Sequence, residues 1–212
     1  MKRIALVLAL CCVALTLSTL SLSAQTTDEI IAMMDEALEP SSTEGCSLIM
    51  DMKMPLLGTI SSTMYLRGNK SRVDITAKGK GGVLWYDRDT VWEYDPEKNE
   101  ITISPAKEGD SSDAEENLKM FDSVTEGYDV TLQKQTATAW YLVCKKRRDN
   151  PKKDDPKKME LVISKTTHLP LSLKSSLEGV TMTLRNVAIG VSEDQVTFNP
   201  EQYPTAKIID KR

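Results

Sequence analysis

The chain has 212 residues and carries 27 basic against 31 acidic side chains, a formal net charge of −4. That length suits one domain with a real core, and the acidic balance excludes a phosphate-binding surface for nucleic acid, which needs a basic excess. Aromatic residues make up only 5% of the chain and there are ten methionines, so flexible apolar side chains stand where rigid ones are usual.

The first 24 residues read as an export signal. Lys2 and Arg3 give a basic start, residues 4–22 an apolar run broken by Thr16, Ser18, Thr19 and Ser21, and Ser21-Leu22-Ser23-Ala24 a small-residue stretch fit for cleavage after Ser23 or Ala24. The competing reading is an uncleaved anchor, because the run nearly spans a bilayer; its Ser and Thr content and its small-residue end decide against that. Cys11 and Cys12 do not make a lipoprotein site, since Leu10 sits where a small residue is needed. The expected division is a signal peptide over 1–24 and a single domain over 25–212, located in the periplasm. Without Lys2 and Arg3 the balance becomes 25 basic against 31 acidic residues. No later apolar run is long enough to cross a membrane, so no stable membrane insertion is expected. Cys46 and Cys144 remain, and both a disulfide and two buried free thiols are open readings.

Residues 27–39 have the pattern of an amphipathic helix. Thr27 is the expected N-cap, Asp28 and Glu29 suit the first turn, and Ile30, Ile31, Met33, Met34, Ala37 and Leu38 form the apolar face. Pro40 and the polar run after it stop the helix. Strand patterns follow. Over 46–54 the alternation is strict, with Cys46, Leu48, Met50, Met52 and Met54 on one face and Ser47, Ile49, Asp51 and Lys53 on the other. Over 59–67, Ile60, Met64 and Leu66 share a face. Gly68-Asn69 turns into a strand over 70–77, which residues 79–82 break with their glycines. Strands are expected at 83–86, 90–94 and 100–103, with turns at Asp87-Arg88-Asp89 and Asp95-Pro96-Glu97-Lys98-Asn99.

Residues 104–113 are a polar, acidic loop. Ser112 and Glu115 can then cap a short helix that carries Leu118, Phe121 and Val124 inward. Strands resume at 128–133 and 138–146. The stretch 145–158 holds eight basic residues, three acidic ones and two prolines, and reads as a solvated hairpin loop, with contact to an anionic membrane as the sharper reading. Strands at 159–164, 169–175 and 180–189 complete the pattern, and a slip of apolar phase near Asn186 marks a bulge in the last. The expected fold is mainly β: a single curved antiparallel sheet of ten or eleven strands forming a half-open barrel, covered by the N-terminal helix and the short inserted helix.

Catalytic patterns are missing. His168 is the only histidine and sits in Thr166-Thr167-His168-Leu169-Pro170, which reads as a turn. No nucleophile motif flanks it, two distant cysteines and one histidine do not have zinc spacing, and there is no phosphate loop or dinucleotide fingerprint. The chain is expected not to be an enzyme and to use no cofactor and no metal.

The continuous face of Leu48, Met50, Met52 and Met54, extended by Met64 and Leu66, has two readings. It packs beneath the helices, as any covered sheet face must, or it lines a cavity, since methionine adapts its shape to varied acyl chains. Both hold together if the helices form a lid that a ligand displaces. Ile30, Met34, Leu118 and Phe121 would be the lid contacts.

In the order of its elements the chain resembles the bacterial outer-membrane lipoprotein carriers of the LolA type and the wider LolA–LolB-like superfamily. The resemblance is carried by Met64-Tyr65-Leu66-Arg67-Gly68-Asn69-Lys70-Ser71-Arg72-Val73-Asp74, by Asp89-Thr90-Val91-Trp92-Glu93-Tyr94-Asp95-Pro96, which is similar to the family's Gly-Lys-Thr-Leu-Trp-Phe-Tyr-Asn-Pro hairpin, and by the ending Val196-Thr197-Phe198-Asn199-Pro200 with strand-like Lys207-Ile208-Ile209-Asp210. It implies a periplasmic carrier of acyl chains, monomeric, with lipoprotein or lipid cargo, an inner-membrane exporter and an outer-membrane acceptor. It also implies an arginine that latches the lid. The family places that arginine before a proline; here Arg67 precedes Gly68, so Arg67 and then Arg72 are the nearest counterparts. The alternative is a module of another class, one that senses envelope stress and regulates a membrane partner with the same sheet.

Overall fold

The computed structural model describes residues 25–77, 79–107, 126–152 and 155–212. The leader over 1–24 and the inserted helix with Leu118 and Phe121 lie outside the described residues.

The first helix, α1 (Thr27–Leu38), starts one residue earlier than the periodicity suggests, because Thr26 and not Thr27 is its cap. The Thr26 hydroxyl accepts from the Glu29 amide at 3.2 Å, and the Glu29 carboxylate accepts from the Thr26 amide at 2.8 Å. This reciprocal pair satisfies two amides that the first turn leaves open. Ile30, Ile31, Met34 and Leu38 recur at helical spacing and are all buried. The polar run after Pro40 forms a second short helix, α2 (Ser41–Glu44), and Gly45 then turns the chain into the sheet with φ +76°. A Cβ at Gly45 would stand 2.5 Å from the carbonyl oxygen of Leu66, so only glycine fits there.

The described strands are β1 (Cys46–Met54), β2 (Gly58–Arg67), β3 (Lys70–Ala77), β4 (Lys80–Tyr86), β5 (Thr90–Asp95), β6 (Glu100–Pro105), β7 (Tyr128–Gln135), β8 (Ala139–Lys146), β9 (Lys158–Ser164), β10 (Pro170–Leu177), β11 (Val180–Ile189) and β12 (Lys207–Asp210). They make one sheet in the order β12-β6-β5-β4-β3-β2-β1-β11-β10-β9-β8-β7. Strands β1 to β6 run outward from the centre as a meander, and β7 to β11 return from the far edge to lie beside β1. Every pairing is antiparallel except β12 with β6, which is parallel. The end strands β7 and β12 are not paired with one another, so the curved sheet stays open.

Two expectations need correction. Gly81 and Gly82 do not break the chain; they lie inside β4, held extended by pairing with Thr76 and Ile75. The sheet is also not antiparallel throughout: the strand-like segment 207–210 joins it as the parallel β12. The bulge near Asn186 is present: Ser47 opposes Ala188 and Ile49 opposes Arg185, leaving Asn186 and Val187 against Leu48. Asn186 takes the left-handed conformation that such an extra residue requires (φ +57°). The slip turns both Leu184 and Val187 toward the core.

The core divides between the two faces. On the concave face, α1 covers Cys46, Leu48, Leu66, Leu142, Cys144, Leu161, Ile163, Leu173 and Leu184. On the convex face the register aligns Tyr65, Arg72, Trp85, Trp92 and Ile103. After β11 the chain crosses to that side as α3 (Glu193–Val196) and packs Phe198 and Tyr203 on the indoles. Ring centroids lie 5.3 Å apart for Trp85–Phe198, 5.7 Å for Trp92–Phe198 and 5.6 Å for Trp85–Tyr203. Edge-on and offset contacts at these spacings add to the burial itself.

Candidate apolar ligand site

Rows across the concave face follow from the register. Leu48, Met64, Val73 and Leu84 make one row; Met50, Ser62 and Ile75 the next; Met52, Ile60 and Ala77 the third. On the other side of β1, Leu184 stands opposite Met50 and Met182 opposite Met52. The floor is apolar along its length, yet its burial changes along it. Cys46 and Leu48 are sealed at 0% and 1% exposure. Met50 and Met64 are half-buried and pack against the core under α1. Met52, Met54, Ile60, Ile75 and Met182 are half-buried as well, and the core cluster stops short of them. The floor thus leaves the closed core and runs on to the end of the sheet where the β1–β2 and β10–β11 turns lie.

The expected site residues therefore fall into groups. Leu48, Leu66, Ile30 and Met34 sit in the closed core. Met50 and Met64 form its margin, and Met52 and Met54 the open floor. Ile60, which alternation had already put on the face of Met64 and Leu66, shares this floor with Val73, Ile75, Leu84 and Met182, and none of the five was among the expected site residues. Their alternation is visible strand by strand, for example Val73 and Ile75 between Arg72, Asp74 and Thr76, but only the cross-strand register joins them to the methionines. Beside α1, Gln25, Glu29, Ala32 and Met33 line a shallow cavity of about 440 Å³.

The two latch candidates lie elsewhere. The Arg67 guanidinium donates to the carbonyl oxygens of Glu44 (2.8 Å) and Val191 and stands 3.7 Å from the Glu193 carboxylate. It pins together the end of α2, the exit from β11 and the start of α3. Arg72 lies on the convex face, over the rings of Tyr65 and Trp85 at 5.7 and 5.6 Å, and pairs with Asp74 at 2.7 Å.

The groups with reactive potential are quiet. Cys46 and Cys144 are both buried free thiols, which closes the disulfide question. Burial pushes their pKa values up to about 12 and about 11, so both remain neutral and apolar at ordinary pH. His168 lies in the connection between β9 and β10, with φ +57° and its ring 5.9 Å from that of Trp140. On the convex face Asp51 accepts from Arg185 at 2.7 Å and from the Ser61 hydroxyl at 2.6 Å; these two bonds hold its carboxyl below the usual range. Among the described residues no group of three or more His, Cys, Asp or Glu side chains gathers as metal ligands would. What the concave face can do chemically is take an alkyl chain out of water.

No protein-family model matches the chain, and no curated protein matches it. Among solved structures, it is similar to the lipoprotein LppX of Mycobacterium tuberculosis (12% identity, 76% of this chain and 94% of that one, TM-score 0.47). It is similar also to the MucA/MucB complex of Pseudomonas aeruginosa (12% identity, 82% of this chain and 62% of that one, TM-score 0.47). It is similar, too, to a LolA superfamily protein from Nitrosomonas europaea (14% identity, 84% of this chain and all of that one, TM-score 0.34).

Proposed function

We propose that this protein is an exported, periplasmic carrier that sequesters an apolar ligand on the concave face of its open sheet, the ligand being the acyl part of a lipoprotein or lipid. The observation that carries this reading is the floor of Met52, Met54, Ile60, Ile75 and Met182, apolar yet only half-buried, continuous with the closed core under α1. Among the described residues the closed core does not extend over it. Each acyl methylene withdrawn from water stabilises the complex by about 0.8 kcal/mol, which sets the affinity against the cost of ordering the chain. Methionines suit such a floor because they adapt to different chains without strain. Release then requires a receiving site of higher affinity. No chemical step is assigned: His168 sits in a turn and both thiols are protonated in the core.

Mass spectrometry of an organic extract of the protein, purified from its own host, tests this reading. A carrier brings out acylated lipid or lipopeptide in near-stoichiometric amount. Protein that comes out free of lipid and takes up no acyl probe would instead be an interaction module built on the same sheet.

A further inference from the structure

At the end of the sheet where the floor opens, large apolar side chains stand in solvent. The β1–β2 turn carries Leu56, wholly exposed, and Leu57, 56% exposed, while Leu177 at the end of β10 is 43% exposed. The two turns adjoin, since a Cβ built on Gly179 would lie 3.5 Å from the ring of Pro55. Leu56 also has φ +67°, in the left-handed region where glycine and asparagine are at home and a leucine is strained. Neither packing nor turn geometry accounts for leucine there, because asparagine would serve both better.

Basic residues flank the same tip. Lys157, Lys158 and Lys174 line a cavity of about 460 Å³ together with Leu177, Glu178 and Glu160. Glu160 is engaged by Lys158 at 2.7 Å. The connection from β8 to β9 adds the exposed Arg148 and Lys152 at that end. Elsewhere the chain is acidic, so this concentration of positive charge around exposed leucines is against the trend of the molecule.

We infer that this end of the sheet docks on an anionic lipid surface, with Leu56, Leu57 and Leu177 entering the interfacial layer and Lys157, Lys158 and Lys174 meeting the phosphates. Apolar burial and attraction to anionic headgroups then add, each weak alone. A lipid surface fits better than a second copy of this chain, whose own lysines would face these across the contact. Docking in this way turns the open floor toward the membrane. It depends only on the rim, and it holds whatever the trough carries.

Sedimentation with vesicles tests it, using the protein as its host exports it. Wild type should pellet with phosphatidylglycerol-rich vesicles, weakly with phosphatidylcholine alone, and less as salt rises and screens the lysines. The double variant Leu56→Asn/Leu57→Asn should melt no lower than wild type, since asparagine relieves the left-handed turn, and should partition about tenfold less or weaker still. The triple variant Lys157→Gln/Lys158→Gln/Lys174→Gln should lose the preference for anionic vesicles. An acyl-probe titration on the same variants should be unchanged, which separates failure of docking from failure of the carrier reading. Wild type that stays in the supernatant, or a double-asparagine variant that binds as wild type does, would overturn the inference. So would a vesicle-free dimer that the double variant converts to monomer.

Discussion

Asp51 shows how single residues hold the outer face of the sheet. Its carboxylate joins β1 to β11 through Arg185 and to β2 through Ser61, and its side chain is 24% exposed. Those bonds lower its pKa in the folded state below the value it has when unfolded. The sign follows: the stabilisation is complete above the unfolded value near 4 and fades as pH falls through the lower folded one. Asp51→Asn should therefore flatten the acid limb of the stability curve and cost about 1 kcal/mol at neutral pH, the modest worth of a partly exposed pair. Urea melts of both proteins between neutral pH and the acid limit check this. A variant with the wild-type acid limb would mean that the pair contributes nothing.

At the scale of elements, α1 is the part on which the concave face most depends. Removing the Thr26 hydroxyl leaves the Glu29 amide without its partner, so Thr26→Ala should cost about 1 kcal/mol and lower the melting temperature by about 2–4 °C. An unchanged melting temperature would show that α1 is held by its buried stripe alone. Much at this scale was legible in the sequence. The bounds of β1 follow from strict alternation, the start of β3 from the turn at Gly68-Asn69, and the bulge in β11 from the phase slip at Asn186. The start of β4 was not legible, because Gly81-Gly82 has the local chemistry of a break while neighbouring strands hold it extended. The cap was misplaced by one residue because Thr26 and Thr27 look alike until the Glu29 carboxylate chooses between them.

For the whole molecule, alternation tells which residues share a face within one strand but not which face each half of the sheet buries. Leu48 is sealed on the concave side, whereas Trp85 is sealed on the convex side against Phe198 and Tyr203, and Ile101 on the same side. That change of side arises from contacts distant in sequence, between the indoles and the segment after β11. It explains why Arg72, a latch candidate by its neighbourhood, lies on the convex face. Among the described residues, the segment after β11 packs on the convex face and none of the closed core reaches Ile60 or Ile75 on the concave side.

A carrier requires that the methionines past the margin of α1 line a ligand site and not a core. Met52→Asp tests it most directly, with Leu48→Asp as the contrast, through thermal melts and a titration with a fluorescent fatty acid. Met52 is half-buried outside the closed cluster, so Asp there should stay wetted in the empty protein and cost less than about 1 kcal/mol. Acyl binding should fall sharply, because the complex would bury the charge. Leu48→Asp should cost several kcal/mol whether or not ligand is present. A Met52→Asp protein that melts as low as Leu48→Asp, or one that is stable and binds the fatty acid as tightly as wild type, would show that Met52 does not line a ligand site.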